Sequence, residues 1–361
     1  MSIENKLTIL LILKDRHKFT YRWLEYYKHS LSKYRLLIAD GSKNNKLNDY
    51  IINNYKNLQI TYNYYGPDIN LERYPLKVIK ALKEINTEYV LQSSNDDFYS
   101  FDSINKNINF LEKNKEYCCS RSEIYDFSIE SYQEVSGHLN SVSKIYNDVS
   151  FNEDEKLNRI NSFSKNFNAL WHDISRTKIM LRAWESLCVN KIYFYPFQDI
   201  YLSYILAIYG KINHSEGVYM LHQNHREMLA RDKNFGNITS ILTNGNFSDL
   251  NTTINSISNE LINNDKSQDS KFTPYLFYKL FMENFILNAV KNENKDNTGF
   301  RIKFKISLKK ILLSTKLTYT IYNFYFLIIK KKTIYKNSFV NEVSIFVKNK
   351  NILSKKTFKI N

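Results

Sequence analysis

Glycine and proline are scarce, with 8 Gly and 4 Pro in 361 residues. Neither G-x-G-x-x-G nor G-x-x-x-x-G-K-[ST] occurs, so a dinucleotide fingerprint and a P-loop are both unsupported. Cysteine is scarcer still. Cys118, Cys119 and Cys188 are odd in number and two are adjacent, which is neither a disulfide framework nor a metal-ligand spacing and fits a reducing cytosol. The start, Met-Ser-Ile-Glu-Asn-Lys, lacks the basic-then-apolar order of a signal peptide. The longest uncharged run near the C-terminus, 317–329, has 13 residues; a bilayer needs roughly 20. Acid is short only locally. Residues 301–361 hold 15 Lys and Arg against Glu342 alone, and subtracting these from 51 basic and 36 acidic groups leaves 36 against 35 over 1–300. A near-neutral body therefore carries a basic tail, which predicts a polyanionic partner for that tail.

What is present is apolar and ordered in a regular alternation. With 43% hydrophobic and 15% aromatic residues the chain can bury one large domain or two modest ones. Residues 7–13 form a continuous apolar run of strand length, as a parallel strand covered on both faces requires. Helical spacing follows over 19–33, then strand-like 35–39, helical 46–55, strand-like 58–64 and an amphipathic stretch 71–85 with Leu71, Val78, Ile79, Leu82 and Ile85 on one side. Residues 89–91 make a fourth strand, 101–114 a helix and 117 onward another strand. Strands alternating with helices over about 120 residues predict a mostly parallel, Rossmann-like α/β sheet. Periodicity then lapses over 126–161, read as an irregular insertion. It returns with 167–171, a helix at 177–187, an apolar helix at 200–209, short strands at 211–213 and 217–221, and helices at 238–242 and 254–262.

The polar clusters sit where such a fold would place a ligand. Lys14-Asp15-Arg16, Asp40-Gly41-Ser42 and Asn95-Asp96-Asp97 each follow a strand, and parallel strands bring all three to one edge of the sheet. Asp96 and Asp97 repel one another unless a cation or positive ligand group compensates. A divalent ion with oxygen ligands, itself bound to phosphate oxygens, is the expected partner, against the plainer reading of a solvated turn. Asp199, placed in the first turn of an apolar helix, is either a partner of the helix dipole or a reactive carboxylate.

Together these stretches resemble the nucleotide-sugar glycosyltransferases of the GT-A fold, family 2 type, and within them the bacterial group of surface-polysaccharide gene clusters. The residues that carry the resemblance are Leu7-Thr-Ile-Leu-Leu-Ile-Leu-Lys-Asp-Arg16, Leu37-Ile-Ala-Asp-Gly-Ser42, Tyr89-Val-Leu-Gln-Ser-Ser-Asn-Asp-Asp-Phe98 and Phe110-Leu-Glu-Lys-Asn114. Phe197-Gln-Asp-Ile-Tyr-Leu-Ser203, Gly210-Lys211 and Tyr219-Met-Leu-His-Gln223 continue it. The resemblance covers about 5–230. It implies a GT-A domain over 1–230, with a nucleotide-binding half at about 1–125 and an acceptor half at about 160–230.

The resemblance also implies roles. Lys14, Asp15, Arg16, Asp40, Gly41, Ser42 and Asp96 would bind the nucleotide, with Asp40 facing the base and Arg16 near the phosphates. Asp97 and Asp96 fill the family's D-x-D position as ligands of Mg²⁺ or Mn²⁺, with His222 or His225 as an added ligand to the metal or the diphosphate. Asn95 stands where a first acid is often found, and Gln198 where inverting members usually carry Glu before their catalytic base. Asp199 falls at that base. The implied reaction is transfer of a hexosyl-type sugar from a nucleotide donor to a surface-glycan acceptor, lipid-linked or polysaccharide. A metal would neutralise the leaving diphosphate and a carboxylate would take the acceptor proton. The alternative is a non-catalytic sugar-nucleotide or glycan-binding protein. His172-Asp173 reads as structural. Residues 231–300 read as a polar linker with a helical segment, and 301–361 as a basic, aromatic extension lying on anionic lipid at the cytosolic face of the membrane. Nucleic acid is a weaker partner for it, because its apolar residues are mainly aliphatic and contiguous.

Overall fold

The computed structural model describes residues 3–130, 135–145, 149–225, 247–263 and 337–348. Strand β1 (Leu7–Leu13) is buried along its whole length, as an unbroken apolar run demands, and it pairs in parallel with β2 (Arg35–Asp40) and β4 (Tyr89–Ser93). Strand β3 (Ile60–Tyr64) continues the parallel set on the outside of β2. The remaining strands are β5 (Asp97–Tyr99), β6 (Tyr117–Ile129), β7 (Leu139–Lys144), β8 (Ile174–Arg176) and β9 (Lys211–Gln223). Among the described residues the sheet runs β3-β2-β1-β4-β8-β6-β9-β5, with β7 on β6. The β6–β9 pair is again parallel, whereas β8, β7 and β5 join antiparallel. This is the expected α/β fold with a Rossmann-like parallel half.

Helices cover both faces. They are α1 (His17–Tyr26), extended by a π-type turn over Tyr27–Leu31, α2 (Leu47–Asn54), α3 (Arg73–Lys83), α4 (Phe101–Lys113), α5 (Lys156–Lys165), α6 (Thr177–Val189) and α7 (Tyr195–Tyr209). Two more, α8 (Phe247–Asn263) and α9 (Ser338–Lys348), come from the C-terminal third. One apolar cluster lies between the sheet and α3, α6, α7 and α8; the other lies between the sheet and α1, α4 and α9. Among the described residues no helix is long and apolar enough to cross a membrane. The three cysteines are free thiols.

Several expectations change. Leu71 lies outside α3 and is exposed, because the helix begins at Arg73. The stretch 167–171 forms no element, and the two short strands expected at 211–213 and 217–221 are one strand with irregular register. The described part of 126–161 is no irregular insertion. It holds β7, paired to β6, a bridge from Phe151 to Ile212, and the start of α5. Its polar composition reflects a strand lying half in solvent, which alternation with Ser, Asn and Lys conceals. Within 231–300, α8 buries Leu250, Ile254, Ile257 and Leu261 and packs on α7, so it belongs to the domain and not to a linker. The helix expected at 254–262 lies within α8, and that expected at 238–242 lies outside the described residues.

The tail differs most. Helix α9, inside the stretch expected to lie on lipid, buries Phe339, Val340, Val343 and Val347 in the second cluster. Phe346 meets Tyr26 and Phe98 edge-on, with ring centroids 5.4 and 6.0 Å apart. The Ser30 hydroxyl donates to Glu342 at 2.5 Å, and the Gly137 amide donates to the Val347 carbonyl at 3.1 Å. The surface-extension expectation therefore fails for 338–348; the rest of 301–361 lies outside the described residues.

Candidate active site

Three loops meet at the C-terminal ends of β1, β2 and β4, as parallel strands dictate. After β1, Asp15 and Arg16 both adopt left-handed backbone, φ 55° and 56°. Non-glycine residues rarely do so, and two in succession mark a loop held by its surroundings. The holding contacts are visible. The Asp15 amide donates to Ser42 Oγ at 2.7 Å, and the Lys43 amide donates to Asp15 Oδ1 at 3.2 Å. Lys14 is exposed and its ammonium donates to the Asp68 carbonyl at 2.8 Å.

Asp40, fully buried, ends β2. Both carboxylate oxygens accept protein hydrogen bonds: Oδ1 from the Ser42 amide and Oδ2 from the Tyr62 hydroxyl, each at 2.8 Å. Gly41 lies against the side chain of Asp68, whose carboxylate forms a buried pair with Lys77 at 2.5 Å. Burial raises the Asp68 carboxyl against the pull of Lys77, and burial lowers the Lys77 ammonium against the pull of Asp68. The Lys77 ammonium also donates to the Leu13 carbonyl at 2.7 Å, tying α3 to the end of β1. This pair was invisible in the sequence, since Lys77 falls among the apolar positions of α3. A Cβ on Gly41 would collide with the Asp68 carboxylate. Gly41→Ala is expected to push Asp68 off Lys77 and cost about 3–5 kcal/mol in a denaturant titration, because one buried charge would lose its partner.

The turn after β4 carries the acids. The Asn95 side-chain amide donates to Thr20 Oγ1 at 3.0 Å and to the Arg16 carbonyl at 3.4 Å. An acid there has no proton to give at neutral pH, which explains asparagine at this position. Asp97 opens β5 opposite His222 of β9. His222 Nδ1 lies 2.5 Å from Asp97 Oδ1, and His172 Nδ1 lies 3.6 Å from Asp97 Oδ2. Asp96 Oδ2 is 2.8 Å from His225 Nε2 and accepts from Arg16 Nη1 at 2.9 Å. Asp96 and Asp97 are buried, while Arg16, His172 and His222 are partly exposed and form the solvent side of the cluster.

Electrostatics divides the cluster. Burial opposes ionisation of Asp96, but Arg16, His225 and His222 outweigh it and hold the carboxyl well below the usual carboxylate range. Burial pushes His222 down, and Asp97 followed by Asp96 and Asp126 more than reverses this, leaving it at about 9. Burial takes His172 down to about 4 despite Asp97. At neutral pH Asp97 thus sits between one charged and one neutral imidazole. His172, expected to be structural, belongs to this cluster, because its place beside Asp97 is set by a contact 75 residues away in the chain. Its neighbour Asp173 is structural, in a buried pair with Arg121 at 3.1 Å.

Asp199 lies elsewhere on its helix than expected. Helix α7 begins at Tyr195, so Asp199 is its fifth residue and no acid occupies the first turn. Among the described residues nothing hydrogen-bonds its carboxylate, and burial raises it to about 7. Burial raises the Tyr195 hydroxyl, and Asp199, Tyr74 and Asp96 raise it further against Arg16, so this side chain is within electrostatic range of both Asp199 and Asp96.

No protein-family model matches the chain, and no curated protein matches it in sequence. Among solved structures it is similar to S. aureus TarS 1–349, at 15% identity and TM-score 0.48, over 82% of this chain and 74% of that one. The same fragment in complex with UDP-GlcNAc gives 16% identity and 0.48 over 82% and 76%, and in complex with UDP 14% and 0.43 over 77% and 70%. Likenesses this loose are resemblances of outline.

The donor set suits a hard cation in one respect. Asp96 Oδ1 and Asn95 Oδ1 are buried with no hydrogen-bond partner among the described residues, in the same turn as Asp97. Among the described residues no three His, Cys, Asp or Glu side chains could hold a metal ion by themselves. An ion shared with substrate phosphates needs only one or two protein carboxylates, so the residues present fit such a group.

Proposed function

We propose that this chain is a nucleotide-sugar glycosyltransferase that moves a sugar to a hydroxyl of a glycan acceptor with inversion. The observation that carries the reading is the presence of two kinds of carboxylate, one of each within electrostatic range of Tyr195. Asp96 is held ionised beside Arg16 and His225, and Asp97 meets His222 at the same strand ends. Asp199 is raised to about 7 and has no hydrogen-bond partner among the described residues. Transfer needs both: a place for the leaving diphosphate, and a base for the acceptor proton.

In this reading Arg16 binds the diphosphate at the strand ends, the loops of 14–16 and 40–42 seat the nucleoside, and Asp97 and Asp96 would hold Mg²⁺ or Mn²⁺, with His222 joining them only on losing its proton to the metal's charge. That ion, when bound, supplies Lewis-acid stabilisation of the diphosphate charge. Asp199 takes the proton as the acceptor oxygen bonds to the anomeric carbon; the bond from that carbon to the diphosphate breaks, and nucleoside diphosphate leaves. A pKa near the working pH suits a base of this kind. A surface-glycan acceptor and contact of the basic tail with anionic lipid remain part of the proposal. They rest on the sequence resemblance and on the charge of 301–361, less the docked helix α9.

The test is hydrolysis of a panel of nucleotide sugars with and without Mn²⁺. Parent protein should release sugar from one donor, and Asp97→Ala should lower that rate at least about 100-fold, the usual loss when one electrostatic group is removed. If no donor is turned over and Asp97→Ala leaves nucleoside diphosphate affinity unchanged, the protein is a binding module or something else.

A further inference from the structure

A turn without regular structure is pinned along its length and carries a partly open indole. Arg121 Nη1 donates to the Ala169 carbonyl at 2.7 Å, and the Leu170 amide donates to Ser203 Oγ at 3.0 Å. The Tyr219 hydroxyl donates to the His172 carbonyl at 2.9 Å, and the Asp173 amide closes the turn on the Leu170 carbonyl at 3.1 Å. These contacts set the turn between the two carboxylate regions. Ser203 Oγ itself donates to the Asp199 carbonyl at 2.6 Å, so Leu170 is one serine away from the backbone of Asp199. His172 Nδ1 is 3.1 Å from the Tyr99 hydroxyl and 3.6 Å from Asp97 Oδ2. Trp171 joins these two residues. Of the three tryptophans, Trp23 and Trp184 are core, 0% and 1% exposed. Trp171 packs on the first apolar cluster yet stays partly exposed, edge-on to His172 with ring centroids 4.3 Å apart. Among the described residues nothing accepts a hydrogen bond from its N–H, whereas the Trp184 N–H donates to Gln92 Oε1 at 3.0 Å.

We propose that Trp171 is the stacking wall of a sugar-binding subsite, and that the ligand is a pyranose ring of the acceptor glycan. A pyranose has a face of C–H groups and a rim of hydroxyls. An indole partly open to water offers the matching pair, a π face for the C–H groups and an N–H for a hydroxyl. Because the backbone around Trp171 is already tied to β6, α7 and β9, little ordering remains to be done when a ring stacks on it. The word acceptor rests on the transferase reading. In that reading the acceptor reaches from the Asp199 helix to the Asp97 strand end, which is the span covered by 170–172. The affinity for a sugar ring does not depend on that reading, and the test is made on binding alone.

The experiment is iodide quenching of tryptophan emission in the full chain without metal or nucleotide. Trp171 is the indole that iodide can reach, since Trp23 and Trp184 are enclosed. Maltose, cellobiose, lactose and chitobiose are titrated in turn. At least one should shield Trp171 and remove most of the quenching, with a dissociation constant on the order of 1 mM, as expected for one stacked ring with few hydrogen bonds. Trp171→Leu should weaken that disaccharide's binding about 10-fold in calorimetry, and Trp171→Phe, which keeps a π face, about 3-fold or less. If Trp171→Leu does not fold, the parent titration and Trp171→Phe decide. Three results would each overturn the proposal and leave Trp171 as packing. They are no shielding by any of the disaccharides, equal shielding by uridine and adenosine, or undiminished binding to Trp171→Leu. Neither a nucleotide sugar nor its turnover enters these outcomes, so failure here and failure of the transferase reading are distinct.

Discussion

Asp199→Asn is expected to lower glycosyl transfer by about 10²- to 10⁴-fold, the usual contribution of a positioned general base, while making the protein more stable at pH 8. The sign of the second effect follows from the raised carboxyl. Its folded value is about 7 against 3.8 for an ordinary aspartate. A group whose ionisation is harder in the folded state costs nothing below about pH 4. The cost grows as pH rises from 4 to 7 and is complete above 7. Asparagine, nearly isosteric and neutral, removes it. Because Asp199 is only partly shielded from solvent, a gain of roughly 1–2 kcal/mol is a reasonable size after discounting for screening. In the proposed reaction, transfer by the parent protein should correspondingly rise with pH through about 7, as Asp199 becomes ionised. The measurements are a pH–rate profile for parent and variant and a denaturant titration at pH 5 and pH 8. A variant of unchanged activity would remove Asp199 from the reaction. Equal stabilities at both pH values would show that the carboxyl is not strained by burial.

A chain stopped before Asn337 is expected to lose its cooperative thermal transition. Helix α9 buries Phe339, Val340, Val343 and Val347. At about 1.5–3 kcal/mol per buried side chain, these contribute roughly 6–12 kcal/mol as an upper estimate, comparable with the whole stability of an ordinary domain. The uncovered surface includes Tyr26 and Phe98, which Phe346 now covers. Phe98 follows Asp97 in β5, so the damage should reach the acids directly. A milder form is Val343→Ala, expected to cost about 1–3 kcal/mol through the cavity it leaves. If the truncated chain kept the parent's midpoint and nucleotide affinity, α9 would be a passenger on the domain and not part of it.

These two results bear on how far the sequence could be read. The strand-end loops were legible because parallel strands have no freedom about where their carboxyl ends lie: once 7–13, 35–39 and 89–91 are strands, residues 14–16, 40–42 and 95–97 share an edge. His222 was legible only through the resemblance, since a β9 residue meets β5 across more than a hundred residues of chain. Lys77 and His172 were not legible at all. Each is polar within an apolar or aromatic setting, and its meaning depends on which distant carboxylate it faces.

Local pattern by itself determined the alternation of strands and helices, the parallel half of the sheet and the edge at which its acids gather, because hydrophobic period and turn polarity are properties of neighbouring residues. Only the tertiary structure decided which cations and imidazoles face Asp96 and Asp97, that Asp199 is a half-buried carboxylate beyond the first turn of its helix with no hydrogen-bond partner among the described residues, and that a helix from the basic tail closes the core behind the acids. Charge balance, desolvation and core closure are sums over residues far apart in the chain, and no local pattern records them.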